Sequence, residues 1–266
     1  MHKKYFITLF SLVAVNVFFG CANLQTTLPT TRFESSEVPG HLHARFTVGA
    51  GTAEDITITN DASLRPVVFN EYITQSAELL AKASLGLGER FEISVKGALP
   101  SSILTKGKFQ FVGDPAANAK EGNFSITITA GIGDSYLGKS GDQNGTFGPG
   151  GYNWSAYVGT VIYDVGLIAG YRPSDRFIIY GGPFFSAYSL YGSINQAQSD
   201  NGLSPAQNYP LSGNGTSYGG NLGAQIYFGS KRKFSLILDL TAQSLQWPGI
   251  GAQGSMGGGA LFEFML

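Results

Sequence analysis

The side chains able to do chemistry in this chain are few, and they sit in strand-like surroundings. Arg45, Glu78, Lys82, Glu92, Lys96, Lys106, Lys108, Asp239 and Glu263 each fall on the polar face of a segment whose other face is apolar. A strand turns successive side chains to opposite faces, so these charges share one side of a wall. Glu78/Lys82 and Glu92/Lys96 stand four residues apart on that side, and the sequence predicts that they pair. Inside a small barrel opposite charges must pair, because an isolated buried charge is costly. Two outcomes are open: an ion-pair network that fills the lumen, or a polar conduit whose charges select a small solute. His41 and His43 share a strand face, yet two ligands with no nearby third carboxylate or cysteine do not make a metal site. Asp134, Asp142, Asp164 and Asp239 form no catalytic pattern with them. Gly148-Pro-Gly-Gly151 and Gly257-Gly-Gly259 lack the strand-to-helix setting of a phosphate-cradling loop. No catalytic residue, metal or cofactor is therefore assigned.

The elements that position these charges are strands. From Asn123 to Gly133, Phe124, Ile126, Ile128, Ala130 and Ile132 alternate with Ser125, Thr127, Thr129, Gly131 and Gly133. The same rhythm predicts strands at 42–51, 74–88, 91–99, 103–112, 123–136, 152–172, 176–194, 217–228, 234–246 and 254–266. That is about ten strands, with eight or twelve also compatible, since 152–172 reads as one strand or as two broken near Asp164. Most of these runs reach the ~9–11 residues that a tilted strand needs to cross a bilayer, against ~5–6 in soluble sheets. Tight charged turns (Gly88-Glu-Arg90, Pro173-Ser-Asp175, Ser230-Lys-Arg-Lys233) contrast with long loops at 138–151 and 195–214. Short turns on one side and long loops on the other are the asymmetry of an outer-membrane barrel. Tyr136, Tyr152, Trp154, Tyr171, Tyr188, Tyr191, Tyr209, Tyr218 and Trp247 stand where segments meet loops, as an interfacial aromatic belt would require.

Composition agrees with a lipid-facing wall. Charged residues make up 13% of the chain, about half the usual ~25%, while glycine (37 residues) and aromatics (13%) are plentiful. A net charge of −1 gives no basic surface for nucleic acid. Mean hydropathy is close to zero, which excludes a helical membrane bundle but not a barrel whose strands are half polar.

Residues 1–20 read as a signal peptide, with a basic start at Lys3 and Lys4 and an apolar run from Tyr5 to Phe19. The run ends in Phe18-Phe19-Gly20-Cys21, and Cys21 is the single cysteine. This resembles the lipobox of bacterial lipoproteins, although Phe replaces the usual Leu three before the cysteine. The resemblance implies lipidation of Cys21, and Ala22 implies sorting to the outer membrane. Residues 21–40, polar and Thr/Ser-rich, are expected to form a tether, and 41–266 the barrel. Gly257-Gly-Gly-Ala-Leu-Phe-Glu-Phe-Met-Leu266 resembles the C-terminal signal of outer-membrane barrels, with Leu where Phe is typical. Over 42–266 the chain resembles the broad superfamily of small bacterial outer-membrane β-barrels. That resemblance implies an antiparallel transmembrane β-barrel with both termini periplasmic. Its partners would be outer-membrane lipid, the barrel-assembly machinery and a small solute, and its role that of a structural or small-solute pore protein. A barrel whose long loops bind a partner is the alternative. The enzymatic barrels of this superfamily use Asp pairs with an Asp-His pair, or His with Ser; no such set is present here, so the chain is expected not to be an enzyme.

Overall fold

The computed structural model describes residues 24–61, 68–99, 102–141, 154–196, 207–229, 232–247 and 250–266. All its regular structure is β: β1 (Leu24–Pro29), β2 (Ala44–Asp61), β3 (Val68–Gly86), β4 (Phe91–Leu99), β5 (Ser102–Val112), β6 (Phe124–Gly141), β7 (Trp154–Ser174), β8 (Phe177–Gln196), β9 (Gln207–Phe228), β10 (Phe234–Trp247) and β11 (Gly251–Met265). Strands β2 to β11 form an antiparallel meander in which β2 pairs with both β3 and β11, so the sheet closes on itself as a ten-stranded barrel. Strand β1 is additional and pairs with β2 alone.

Most wall strands behave as their alternation dictates; the exception is the upper half of β2, where Ala53, Glu54, Ile56, Thr57 and Ile58 are all buried beside β1. In β6 the side chains of Ser125, Thr127 and Thr129 are buried in the interior, while Phe124, Ile128 and Ile132 are about half exposed on the outside. The same outward apolar face is built by Phe46 and Val48, Ile93 and Val95, Val165 and Leu167, Leu238 and Leu240, and Phe262. Such a surface would be unfavourable in water, and lipid is the solvent that accepts it. Tyr136, Tyr171, Tyr191 and Tyr218 also point outward, but Tyr188 and Trp247 are buried inside and belong to no belt; Tyr152 lies outside the described residues.

One end of the barrel, the turn end, carries the connections 87–90, 113–123, 175–176 and 229–233, together with the C-terminus. At the other, the loop end, β2 gives way to β3, β4 to β5, β6 to β7, β8 to β9 and β10 to β11. Strand boundaries depart from the sequence expectation mainly at this end. Strand β2 runs on to Asp61, β9 starts at Gln207 inside the stretch expected to be a loop, and β7 is one unbroken strand. Of the loop expected at 138–151, residues 138–141 belong to β6, and the rest lies outside the described residues.

The largest departure is the N-terminal segment. The stretch expected as a polar tether lies inside the barrel from Leu24 to Pro39, and Thr30 to Val38 are all buried. Pro29 and Pro39 hold the residues before them extended, which suits a chain that must run straight. Strand β1 is antiparallel to β2, with Leu24 opposite Ile58 and Pro29 opposite Ala53, so Leu24 lies towards the loop end. From there the segment descends to the turn end, reverses at Gly40 (φ +101°) and enters β2. Leu24 and Leu266, the ends of the described chain, therefore lie towards opposite ends of the barrel.

Candidate functional site

Among the described residues, buried charged side chains converge in the interior of the barrel, which has two storeys. Towards the loop end it is mainly apolar: Leu28 of the segment packs in a cluster with Ile56, Val158, Ile162, Leu190, Leu245 and Trp247, and a buried carboxylate beside it, Glu54, accepts from Gln243 Nε2 at 3.1 Å. Towards the turn end Phe33 belongs to a second, smaller cluster with Leu80, Ile168, Ile178, Tyr180 and Leu261. Around and below Phe33 the lumen is ionic. Arg45, Glu78, Glu92, Lys96, Lys106, Lys108, Asp239 and Glu263 are all at most 7% exposed, and the Lys82 side chain is 9% exposed.

Strand geometry denies the pairings expected from sequence spacing. Residues four apart on one strand are about 13 Å apart, too far for Glu78 to reach Lys82 or Glu92 to reach Lys96. The register instead sets Lys82 directly opposite Lys96, a like-charge pairing that is unfavourable by itself, and Glu92 opposite Lys108. The descending segment supplies what the wall lacks. Glu34 accepts from Lys82 Nζ at 2.9 Å and lies 3.5 Å from Lys106 Nζ. Lys96 Nζ donates to the Thr31 carbonyl at 2.9 Å, and Lys108 Nζ to the carbonyls of Ser35 and Glu37 at 3.1 and 3.3 Å. On the facing wall, Arg32 Nη2 donates to Asp164 Oδ1 at 2.7 Å, and the backbone N–H groups of Arg32 and Phe33 donate to Asp239 at 3.3 Å. Arg172 pairs with Glu37 through both Nε and Nη2 and lies over the Tyr227 ring at 4.8 Å. Just above that pair, Ser125 Oγ donates to Ser36 Oγ at 2.7 Å, and below it Val38 N donates to Gln110 Oε1 at 2.9 Å.

The wall is also shaped to admit the segment. A Cβ at Gly170 would overlap Ser36 Oγ, and one at Gly259 would overlap the Phe33 ring. At Gly170 the close approach of the segment leaves no room; at Gly259 the Ala50 carbonyl and Gly51 Cα of β2 crowd the position as closely as Phe33 does, so the close strand packing expected from the sequence holds there beside the contact with the segment.

Sequence spacing missed Arg32, Glu34, Glu37, Asp164 and Arg172. Asp164 and Arg172 lie on the inward set of β7 with Ile162, Ile168 and Gly170, and the same period of two would have placed them there. Of the histidines, His41 is exposed, and His43 Nδ1 stands 3.3 Å from the Leu266 carbonyl at the turn end. Ser186 donates to Asp164 Oδ2 at 2.8 Å beside Arg32 and Lys106; a carboxylate already neutralised by two cations is a poor base. Among the described residues no group of three or more His, Cys, Asp or Glu side chains is placed to hold a metal ion. Cys21 lies outside the described residues.

A closed antiparallel barrel with an apolar exterior and a polar, charged interior is the architecture of the bacterial outer-membrane barrels. No family model matches the sequence, and no curated protein does. Among solved structures the chain is similar to Ail, the attachment invasion locus protein of Yersinia pestis, solved in complex with the heparin analogue sucrose octasulfate. That likeness has 9% identity and a TM-score of 0.35, and covers 85% of this chain and 99% of that one. It is also similar to the translocator domain of the autotransporter NalP from Neisseria meningitidis, at 9% identity and a TM-score of 0.25 over 99% and 95% of the two chains. OmpT, an outer membrane protein of Vibrio cholerae, is matched at 10% identity and a TM-score of 0.17 over 92% and 95%. The architecture assigned to this chain rests on its own strand pairing and not on these likenesses.

Proposed function

We propose that this chain is a structural barrel of the bacterial outer membrane, sealed by its own N-terminal segment and therefore not a standing pore. The observation behind this reading is the continuous occupation of the lumen from Leu28 to Val38, with an apolar cluster in one storey and charge-paired contacts in the other. In this reading outer-membrane lipid contacts the outward apolar face, and the assembly machinery reads the final strand, 257–266. The tight turns and Leu266 are periplasmic, as short turns are in outer-membrane barrels. No catalysis is part of the role. Planar-bilayer recording tests it: the purified full chain leaves the bilayer silent, and steady conductance steps from intact protein would overturn the seal.

A second reading, a pore that opens when the segment withdraws, is favoured by one feature. The lower lumen is lined by charges and not by a dry apolar core, which is the lining a selective conduit needs. Locking the segment to the wall with an S36C/S125C disulfide, at a pair whose Oγ atoms lie 2.7 Å apart, separates the two readings. The structural reading expects silence whether the bond is formed or reduced, and the gated reading expects conductance that appears only once it is reduced.

A further inference from the structure

We infer that the barrel carries its own amino terminus through the membrane and presents it at the outer surface of the cell, the face opposite its carboxyl terminus. The argument is one of direction. Strand β2 rises from Ala44 at the turn end to Asp61 at the loop end. Strand β1 is antiparallel to it and starts opposite Ile58, only a few residues short of that loop end. Between Leu24 and Gly40 the anchoring contacts step down the wall from the loop end to the turn end. Thr26 Oγ1 lies 2.8 Å from Thr160 Oγ1, Arg32 reaches Asp164, Ser36 meets Ser125, and the Val38 carbonyl accepts from Ala116 N at 2.8 Å in the turn between β5 and β6. The chain therefore passes along the lumen once, from one mouth to the other. Orientation rests on the reading given above, in which the turn end with Leu266 is periplasmic. Leu24, the first described residue, then lies towards the exterior mouth. The three residues 21–23 can reach about 10 Å when extended, so a lipid on Cys21, where the sequence expects one, would be attached near the exterior mouth and not on the periplasmic side.

Two measurements test this independently. A T26C/T160C variant places two thiols where the hydroxyl oxygens now touch. A disulfide between residues 26 and 160, detected by peptide mapping of protein from unreduced outer membranes, is the expected result, and absence of that cross-link in a correctly inserted barrel overturns the threading. A short epitope placed between Ala22 and Asn23 is expected to bind antibody on intact cells. Binding only after permeabilisation, in protein that still forms the 26–160 disulfide, would mean that the chain is threaded but the barrel faces the other way. That outcome would overturn the display of the amino terminus together with the orientation beneath it. If the tagged chain does not insert, protease shaving of intact cells carrying the native chain replaces it. Removal of residues preceding Leu24 is expected, and their full protection overturns the proposal.

Discussion

At the scale of single residues, Arg172 and Glu37 make the sharpest test of the seal. Both are fully buried, the guanidinium also donates to the Asp175 carbonyl at 3.0 Å, and Asn123 donates to Glu37 Oε1 at 2.9 Å. Breaking a buried pair by removing one partner strands the other and costs about 3–5 kcal/mol. Arg172→Ala is expected to lower the unfolding free energy in urea by that order, measured in lipid vesicles. The double change R172M/E37L, which leaves no charge stranded, should recover most of the loss. A double variant no better than the single would show that packing, and not the ion pair, carries the effect. These residues also mark where the sequence was hard to read. Lys106 and Lys108 stand out because β5 alternates cleanly, whereas the inward face of β7 mixes Ile162 and Ile168 with Asp164 and Arg172. That mixture blurs the polar–apolar contrast on which a period-two reading depends.

At the scale of elements, the strands were legible because lipid outside and a filled lumen inside give each strand two unlike faces. Strand β1 and residues 30–39 were not legible. Their Thr/Ser-rich sequence meets polar groups on several sides at once, so it has no alternation to detect. Its partners, from Asp239 to Arg172, are far away in the chain and only the closed barrel assembles them. The wall glycines record the fit of this segment. Gly170→Leu should force the segment to shift, and Gly259→Leu the segment or β2, each at a cost of about 1–3 kcal/mol, the usual range for overpacking. Gly88→Ala, at an exposed turn where a Cβ would meet nothing within 4 Å, should be close to neutral. Equal unfolding midpoints for Gly170→Leu and Gly88→Ala would contradict the close fit.

At the scale of the whole molecule, the outward face must live in lipid. Ile128, about half exposed among the apolar outward side chains of β6, is expected to tolerate arginine badly. A charge at the bilayer midplane costs about 2–4 kcal/mol in such barrels, so Ile128→Arg should destabilise by that order in vesicles. Glu121→Arg, in an exposed turn, should not. Strands β6 to β9 span 18 to 22 residues, well beyond the ~9–11 needed to cross, so part of this wall stands clear of the bilayer. The closure of the barrel is narrower: β2 and β11 share only the register from Arg45–Met265 to Ala50–Ala260, and β11 runs on beside β10 alone. A ring that is already shut cannot easily be threaded, so the leading residues must be laid down before that short join forms. The chain's beginning thus serves as the mandrel around which its remainder is wrapped, and its last strand is the clasp.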